Sequence, residues 1–273
     1  MNTNTPDHPC GGCAFYDDSV WRPVDACGLS DLKRGFSRNS LAAQQVLYAQ
    51  DDENRGVFCV SAGLIAVRTH HRDGTSTLIK LAYPGDVIGY RSFLSNARHK
   101  TEARALVPSR VCAVAPRNVA RIIDANPGVL HGITARCLTE IDGNHDRIIA
   151  ASVSSNRDRL RNLLMQLMQR HGQREGDRLC MHLPLSRSDL ADLIGVRPET
   201  MSRLLRQLKE DGTLTVSGRE IAMVTAPTGQ PPETQATPLP PHRRPANRPA
   251  TTRSGADRMP APPDRHPATT SDR

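Results

Sequence analysis

The chain has 273 residues, a net charge of +8 at neutral pH and seven cysteines. This length suits one large or two modest domains with a tail, and the basic charge suits a polyanionic partner without identifying it. No apolar run reaches the length of a membrane span, and the first residues lack the apolar core of a signal peptide. We therefore expect a cytoplasmic protein whose cysteines are thiols, metal ligands or redox groups and not structural disulfides.

Residues 1–30 are predicted to form a cysteine-bearing arm. Cys10 and Cys13 make a C-x2-C pair, and the two glycines between them let the backbone wrap closely round a ligand. Cys27 follows after thirteen further residues. With one more cysteine from a strand, such an arm can supply the four thiolates of an iron–sulfur cluster. A single C-x2-C pair also occurs in zinc sites and in thiol redox sites.

Residues 31–126 are predicted to form a β-rich domain. The runs VFCVSAGLIAVRT, STLIKLAY and SRVCAVA are short and separated by glycines, a pattern typical of a sandwich or roll. Cys112 lies in the last of these runs. We interpret Cys59, Cys137 and Cys180 as packing residues. Surface positions are predicted for His70, His71, His99 and His145.

Residues 127–154 are predicted to form a long amphipathic helix. Its apolar residues recur at spacings of three and four, which suits pairing with a second copy of the chain. Packing onto the β domain is the alternative. The predicted homodimer interface consists of Leu130, Ile133, Cys137, Ile141, Asn144 and Ile148.

Residues 155–224 are predicted to form a winged helix-turn-helix. Ser186 and Asp189 have the spacing of a capping box at the start of a first helix. Gly195 suits a sharp turn, and Pro198 suits the first position of a second helix. The runs Leu214–Val216 and Ile221–Val224 then predict a β-hairpin, the wing.

The polar face of the second helix predicts binding to duplex DNA in the major groove. Arginine can donate two hydrogen bonds to guanine, and glutamate can accept one from cytosine. The alternative is an ordinary helical hairpin whose charges are merely solvated. The candidate DNA-binding residues are Arg197, Glu199, Thr200, Ser202, Arg203 and Arg206.

Residues 225–273 are predicted to be a disordered basic tail. This segment holds 12 of the 21 prolines and few apolar residues. It therefore cannot bury enough apolar surface to fold alone.

Over about residues 10–224 the chain resembles the Crp/Fnr superfamily of bacterial transcription regulators. The resemblance rests on VFCVSAGLIAVRTHHRDG, LAYPGDVIGYRSFL, ALVPSRVCAVAP, the helix from Pro127 and PETMSRLLRQLKEDG. It implies an α+β protein with an N-terminal β-roll like a cyclic-nucleotide-binding domain, a long dimerisation helix and a C-terminal winged helix-turn-helix. It also implies duplex DNA, a second copy of the chain and RNA polymerase as partners.

The residues of the roll argue against a cyclic nucleotide as the signal. The cyclic-nucleotide branch of the family has a glutamate where this chain has Tyr90, and an Arg-Ser pair where it has Lys100-Thr101. The usual ribose and phosphate contacts are therefore not expected. Arg98 or Lys100 can still meet another anion.

The cysteines resemble those of the Fnr branch, which binds a [4Fe-4S] cluster through three N-terminal cysteines and one central cysteine. This resemblance implies Cys10, Cys13, Cys27 and Cys112 as ligands, although the interval before Cys27 is longer than the branch usually has. Cys59 is the alternative to Cys27. The branch's base-reading positions match Glu199, Ser202 and Arg203, which implies a TTGAT…ATCAA palindrome.

The resulting hypothesis is a dimer gated by redox state, in which oxygen or nitric oxide destroys the cluster and weakens pairing. Thiol redox sensing, zinc and haem are alternatives within the same family. A cysteine-ligated electron carrier is an alternative of another class, but a carrier does not need a winged helix. An enzyme is not expected, because the chain has no Walker loop, dinucleotide fingerprint, nucleophile elbow or HExxH motif.

Overall fold

The N-terminal arm leads into a short helix that its own aspartate caps. A computed structural model describes residues 8–224, and residues 8–24 run through successive turns. Helix α1 (Ala26–Gly35) begins at Asp25, whose side chain accepts hydrogen bonds from the backbone N–H groups of Cys27 at 2.9 Å and Gly28 at 3.3 Å. These amides have no partner inside the helix, so the cap fixes where α1 starts.

Eight antiparallel strands form the β-roll. They make two four-stranded sheets, ordered β1-β8-β3-β6 and β2-β7-β4-β5, with the short helix α2 (Tyr90–Leu94) after β6. The strands are β1 (Phe36–Leu41), β2 (Val46–Tyr48), β3 (Val57–Ala62), β4 (Ile65–His70), β5 (Ser76–Ala82), β6 (Val87–Ile88), β7 (Glu102–Ala105) and β8 (Ser109–Val114).

Three helices follow the roll. Helix α3 (Pro116–Ala125) packs on α1, and Asn118 Nδ2 donates to the Asp31 carbonyl oxygen at 2.9 Å. Helix α4 (Pro127–Val153) has 27 residues, of which only Val129 and Ile133 are buried. Helix α5 (Asn156–His171) is buried along one side. The long helix α4 therefore leaves most of its length unpacked by its own chain.

The C-terminal head confirms the predicted helix-turn-helix and wing. Helix α6 (Arg187–Ile194) starts with the predicted capping box, and Gly195 ends it with a left-handed backbone (φ 68°) that glycine adopts without strain. Helix α7 (Pro198–Glu210) begins at the predicted proline. Strands β11 (Leu214–Ser217) and β12 (Glu220–Val224) form the wing, and β9 (Gln173–Glu175) and β10 (Arg178–His182) extend their sheet.

The head packs on the roll through a shared apolar core and a buried ion pair. Leu64 and Leu78 of the roll belong to the same cluster of buried side chains as Leu164 of α5. Arg68 Nη1 lies 2.7 Å from Asp189 Oδ1, with side chains 15% and 9% exposed. Burial favours the neutral form of Asp189, but the hydrogen bonds from Arg68 and Ser186 outweigh it and hold the pKa of this carboxyl below its usual range.

The fold class predicted from the sequence is confirmed: a β-roll, a long helix and a C-terminal helix-turn-helix. Within residues 8–224, no helix is long and apolar enough to cross a membrane. The predicted tail, residues 225–273, lies outside the described residues.

Candidate functional site

The two arm cysteines lie in a tight turn anchored to the roll. The Cys13 N–H donates to the Cys10 carbonyl oxygen at 2.8 Å. The Cys10 N–H donates to Nδ1 of His8 at 3.1 Å, and Nε2 of the same ring donates to the Trp21 carbonyl oxygen at 3.2 Å. Arg38 of β1 donates to the Pro9 carbonyl oxygen at 2.8 Å. The C-x2-C turn is thus attached to the rest of the arm and to the first strand.

Two strand cysteines meet the arm at one cavity. Cys59 on β3 is paired directly with Cys112 on β8, and directly opposite residues of antiparallel strands project from the same face of a sheet. The cavity has a volume of about 390 Å³, and two arginines, Arg38 and Arg110, border it. The cysteines that line it are Cys10, Cys13, Cys59 and Cys112.

Burial keeps two of these thiols protonated when no metal is bound. It is the main reason that the pKa of Cys10 is raised to about 12; the neighbouring Cys112 and Cys13 also contribute to the rise, and Arg38 opposes it. Burial is likewise the main reason that the pKa of Cys59 is raised to about 12, and it outweighs the opposing hydrogen bond from Trp21. Ligation of a metal needs the thiolate, so metal binding here must release protons.

The cavity offers four sulfur donors. Within residues 8–224, no group of three or more His, Cys, Asp or Glu side chains is already positioned to hold a metal ion. The four thiols line one cavity, and thiolates are the usual ligands of iron–sulfur clusters. The bordering arginines complement the negative charge that four thiolates would bring.

Cys27 does not join this group. It lies in the first turn of α1, is exposed, and is not among the residues that line the cavity. The structure therefore brings three of the four predicted ligands together and leaves Cys27 apart. Cys137 and Cys180, expected to be buried, are only half-buried.

An exposed apolar face runs along α4. Of the residues predicted for the dimer interface, Leu130 is 39%, Ile141 48% and Ile148 65% exposed. Asn144 is also exposed and Cys137 is half-buried. Further apolar residues of α4 that the sequence prediction did not include are also exposed, namely Leu138, Ile149 and Val153.

The prediction for Ile133 was wrong. Its side chain is fully buried in a cluster with Cys10 and Trp21 of the arm. The first turns of α4 are covered by the arm of the same chain, so their inward face cannot contact a partner. Arg136 strengthens this contact by donating to the Asp18 carbonyl oxygen at 2.6 Å.

The outer face of α7 carries the predicted DNA-binding side chains. Glu199, Arg203 and Arg206 are exposed, whereas Met201, Leu204 and Leu208 on the opposite face are buried. Arg197, at the N-cap position, is exposed, and Thr200 and Ser202 are half-buried. The Ser202 hydroxyl donates to the Pro198 carbonyl oxygen at 3.1 Å. The helix can therefore present a polar surface to a groove while its other face is held by the head.

Comparison with known protein families identifies both the β-roll and the C-terminal head. Residues 38–126 match the cyclic nucleotide-binding domain, and residues 158–227 match the Crp-like helix-turn-helix domain. The chain belongs to the Crp/Fnr family of transcription regulators. It is therefore a DNA-binding regulator and not an enzyme.

Relatives of this Crp/Fnr regulator include a regulator of nitrogen fixation and a regulator of fumarate and nitrate reduction. It is 24% identical to the nitrogen fixation regulation protein FixK of Bradyrhizobium diazoefficiens, over 77% of this chain and 87% of the relative. It is 26% identical to the fumarate and nitrate reduction regulatory protein of Escherichia coli, over 78% and 88% respectively. These similarities support the family without singling out the Fnr branch.

Solved structures share the fold of this Crp/Fnr regulator. The c-di-GMP responsive global regulator CLP of Xanthomonas campestris has a TM-score of 0.62 at 16% identity, covering 74% of this chain and 100% of the other. FixK2 of Bradyrhizobium japonicum has a TM-score of 0.58 at 24% identity, covering 71% and 99%.

A second pocket lies in the roll, and a carboxylate of the regulator itself, that of Glu140, is among the groups that line it. Glu140 of α4 accepts a hydrogen bond from the Tyr90 hydroxyl at 2.7 Å and from Lys80 Nζ, and Arg91 Nη1 lies 3.7 Å away. Burial opposes the charge on Glu140, but these partners outweigh it and lower the pKa of the carboxyl. Burial also raises the pKa of Tyr90, so the phenol stays a donor. Tyr90, which stands where the cyclic-nucleotide branch has a glutamate, thus binds the Glu140 carboxylate beside the pocket.

Several residues at these sites were missed or misplaced from the sequence. His99, predicted at the surface, is 3% exposed and stacks on Tyr48 with ring centroids 3.8 Å apart. No local sequence pattern marks Trp21 or Glu140, because each contacts a partner far away in the chain, Cys59 and Lys80 respectively. Cys59 was named from the sequence only as the alternative to Cys27, because its strand pattern is also typical of a packing residue.

Proposed function

We propose that this Crp/Fnr regulator is of the Fnr type and responds to redox conditions through a [4Fe-4S] cluster. One observation carries the proposal: the arm cysteines Cys10 and Cys13 share a cavity with the strand cysteine Cys112. These are the residues that match the first pair and the central ligand of the Fnr branch. Cys10, Cys13 and Cys112 would hold the cluster, which would supply iron–thiolate bonds sensitive to oxygen and nitric oxide.

The residues around the cavity can pass the ligation state to α4. Bound to a common centre, the thiolates of the arm and of the two strands would hold the arm against β3 and β8. The same arm covers Ile133 and receives Arg136 from α4. Release of Cys10 and Cys13 would loosen this support at the start of the helix. A differential stability of only a few kcal/mol is enough to change the population of the two arrangements.

We propose that α4 pairs with a second copy of the chain. Leu138, Ile141 and Ile148 form an apolar surface that the chain leaves in water, and exposed apolar surfaces of this kind mark protein contacts. A twofold pair would set two copies of α7 at the spacing of successive half-sites. Glu199, Ser202 and Arg203 would then read a TTGAT…ATCAA palindrome.

The test is to purify the protein without oxygen and measure iron, acid-labile sulfide and the visible spectrum. We expect a broad band near roughly 400 nm that air abolishes, a dimer in sedimentation, and binding to the palindrome over random duplex. The same sample after exposure to air provides the matched control. Protein free of iron that does not change its size in air would refute the proposal.

Thiol redox sensing is a second candidate, because Cys59 and Cys112 are direct cross-strand partners. Cβ atoms of such pairs lie about 4.5–5.5 Å apart, and a small shift brings them into disulfide range. Both cysteines are free in this structure. Mass spectrometry of iron-free, air-exposed protein under non-reducing conditions separates the candidates, since a Cys59–Cys112 disulfide without prior iron binding supports this one.

A further inference from the structure

We propose that Cys59, and not Cys27, is the fourth sulfur ligand of the centre. This inference rests on the proposed function, since it names the missing ligand of the same site. It departs from the cysteine pattern by which the sequence resembles the Fnr branch. The structure favours it at both positions.

The first argument is the register of the sheet. Cys59 and Cys112 face each other across β3 and β8, and both line the cavity. Any centre that binds Cys112 together with Cys10 and Cys13 therefore has the sulfur of Cys59 at its edge. No change of backbone is needed to bring this residue to the cavity.

The second argument is the surroundings of the sulfur. Trp21 Nε1 donates to Cys59 Sγ at 3.3 Å, and Trp21 is 1% exposed. An indole N–H can only donate, and a thiolate accepts more strongly than a thiol. Hydrogen bonds to ligand sulfurs stabilise and tune sulfur-ligated centres. This buried donor is therefore placed as the outer partner of a ligating thiolate.

The third argument is that Cys27 lies in a capped and tightly packed part of α1. Its backbone N–H is bonded to Asp25 at the start of α1, and a Cβ on the neighbouring Gly28 would lie 2.1 Å from Asn126 Oδ1. This end of the helix is thus packed tightly against the junction of α3 and α4. Cys27 is not among the residues that line the cavity, and moving it there would disturb the capped and tightly packed first turn of α1.

The experiment compares Cys59→Ser with Cys27→Ser after reconstitution with iron and sulfide in the absence of oxygen. We expect Cys27→Ser to keep the iron content, the sulfide content and the spectrum of the wild type. We expect Cys59→Ser to lose iron to a chelator at least about tenfold faster, because loss of an outer partner alone costs about 10–100-fold in metal affinity. Cys180→Ser, on β10 of the head, is the matched control for removal of a half-buried thiol.

Two further measurements keep the result unambiguous. Circular dichroism of the iron-free variants checks that Cys59→Ser folds. If it does not, alkylation of wild-type protein decides: Cys27 should be modified with no loss of the visible band. Retention of iron by Cys59→Ser, or loss of the band on alkylation of Cys27, overturns the assignment alone. Wild-type protein that takes up no iron overturns the proposed function and the assignment with it.

Discussion

Replacement of Ile148 by alanine tests whether the exposed face of α4 is a dimer interface. The substitution removes about three carbon groups, worth ~0.8 kcal/mol each on full transfer from water, or about 2.4 kcal/mol. Because Ile148 is 65% exposed in its own chain, a partner can bury at most this share, or about 1.6 kcal/mol per copy. Both copies lose it in a twofold pair, so we expect about 3 kcal/mol, or roughly 10²-fold in the dimer dissociation constant.

The assay is sedimentation equilibrium of iron-loaded protein without oxygen, over a range of concentrations. Leu94→Ala is the matched control, since Leu94 is 43% exposed but lies on α2. Alanine favours helix more than isoleucine does, so the stability of the single chain should not fall. If the dimer dissociation constants of Ile148→Ala and Leu94→Ala both lie within about threefold of wild type, the reasoning for this face is refuted.

Three other predictions concern the head, the ion pair and the thiols. Arg203→Ala should weaken specific DNA binding by roughly 1–3 kcal/mol and relax preference at one base pair; equal weakening on all sequences in gel shifts would make Arg203 a phosphate contact. Since the pKa of Asp189 is lowered in the folded protein, its contribution to stability is present above its unfolded pKa of about 3.9 and is lost as the pH falls through the folded pKa. The free energy of unfolding in urea should therefore fall less between about pH 5 and about pH 3 for Asp189→Asn than for wild type. An equal fall for both proteins would contradict this. In iron-free protein, iodoacetamide should modify the exposed Cys27 before Cys10 and Cys59, whose pKa values are raised to about 12; peptide mapping that finds Cys59 modified first would show that the cavity is open.

The helix-turn-helix could be predicted from the sequence because its signals are local. The capping box at Ser186, the glycine at 195 and the proline at 198 each act within one turn of the chain. Strand β10 was missed because its main partner, β12, lies about 40 residues away in sequence, and its own five residues have no clear alternation.

The sites depended on contacts that no local pattern encodes. The periodicity of α4 identified an apolar stripe but not that the arm covers Ile133 while Ile148 stays exposed. Cys27 followed from the order of cysteines along the chain, whereas Cys59 follows from the register of two strands. Glu140 meets Lys80 across 60 residues of sequence, and nothing near either residue indicates the other.

The chain has a single tryptophan, Trp21, and it is the residue whose indole reaches the Cys59 sulfur. All indole fluorescence therefore originates beside the cavity. An iron centre there would quench this emission, and detachment of the arm would shift it to longer wavelength as water reaches the ring. The native protein thus carries its own optical reporter of the sulfur site, without a label or a substitution.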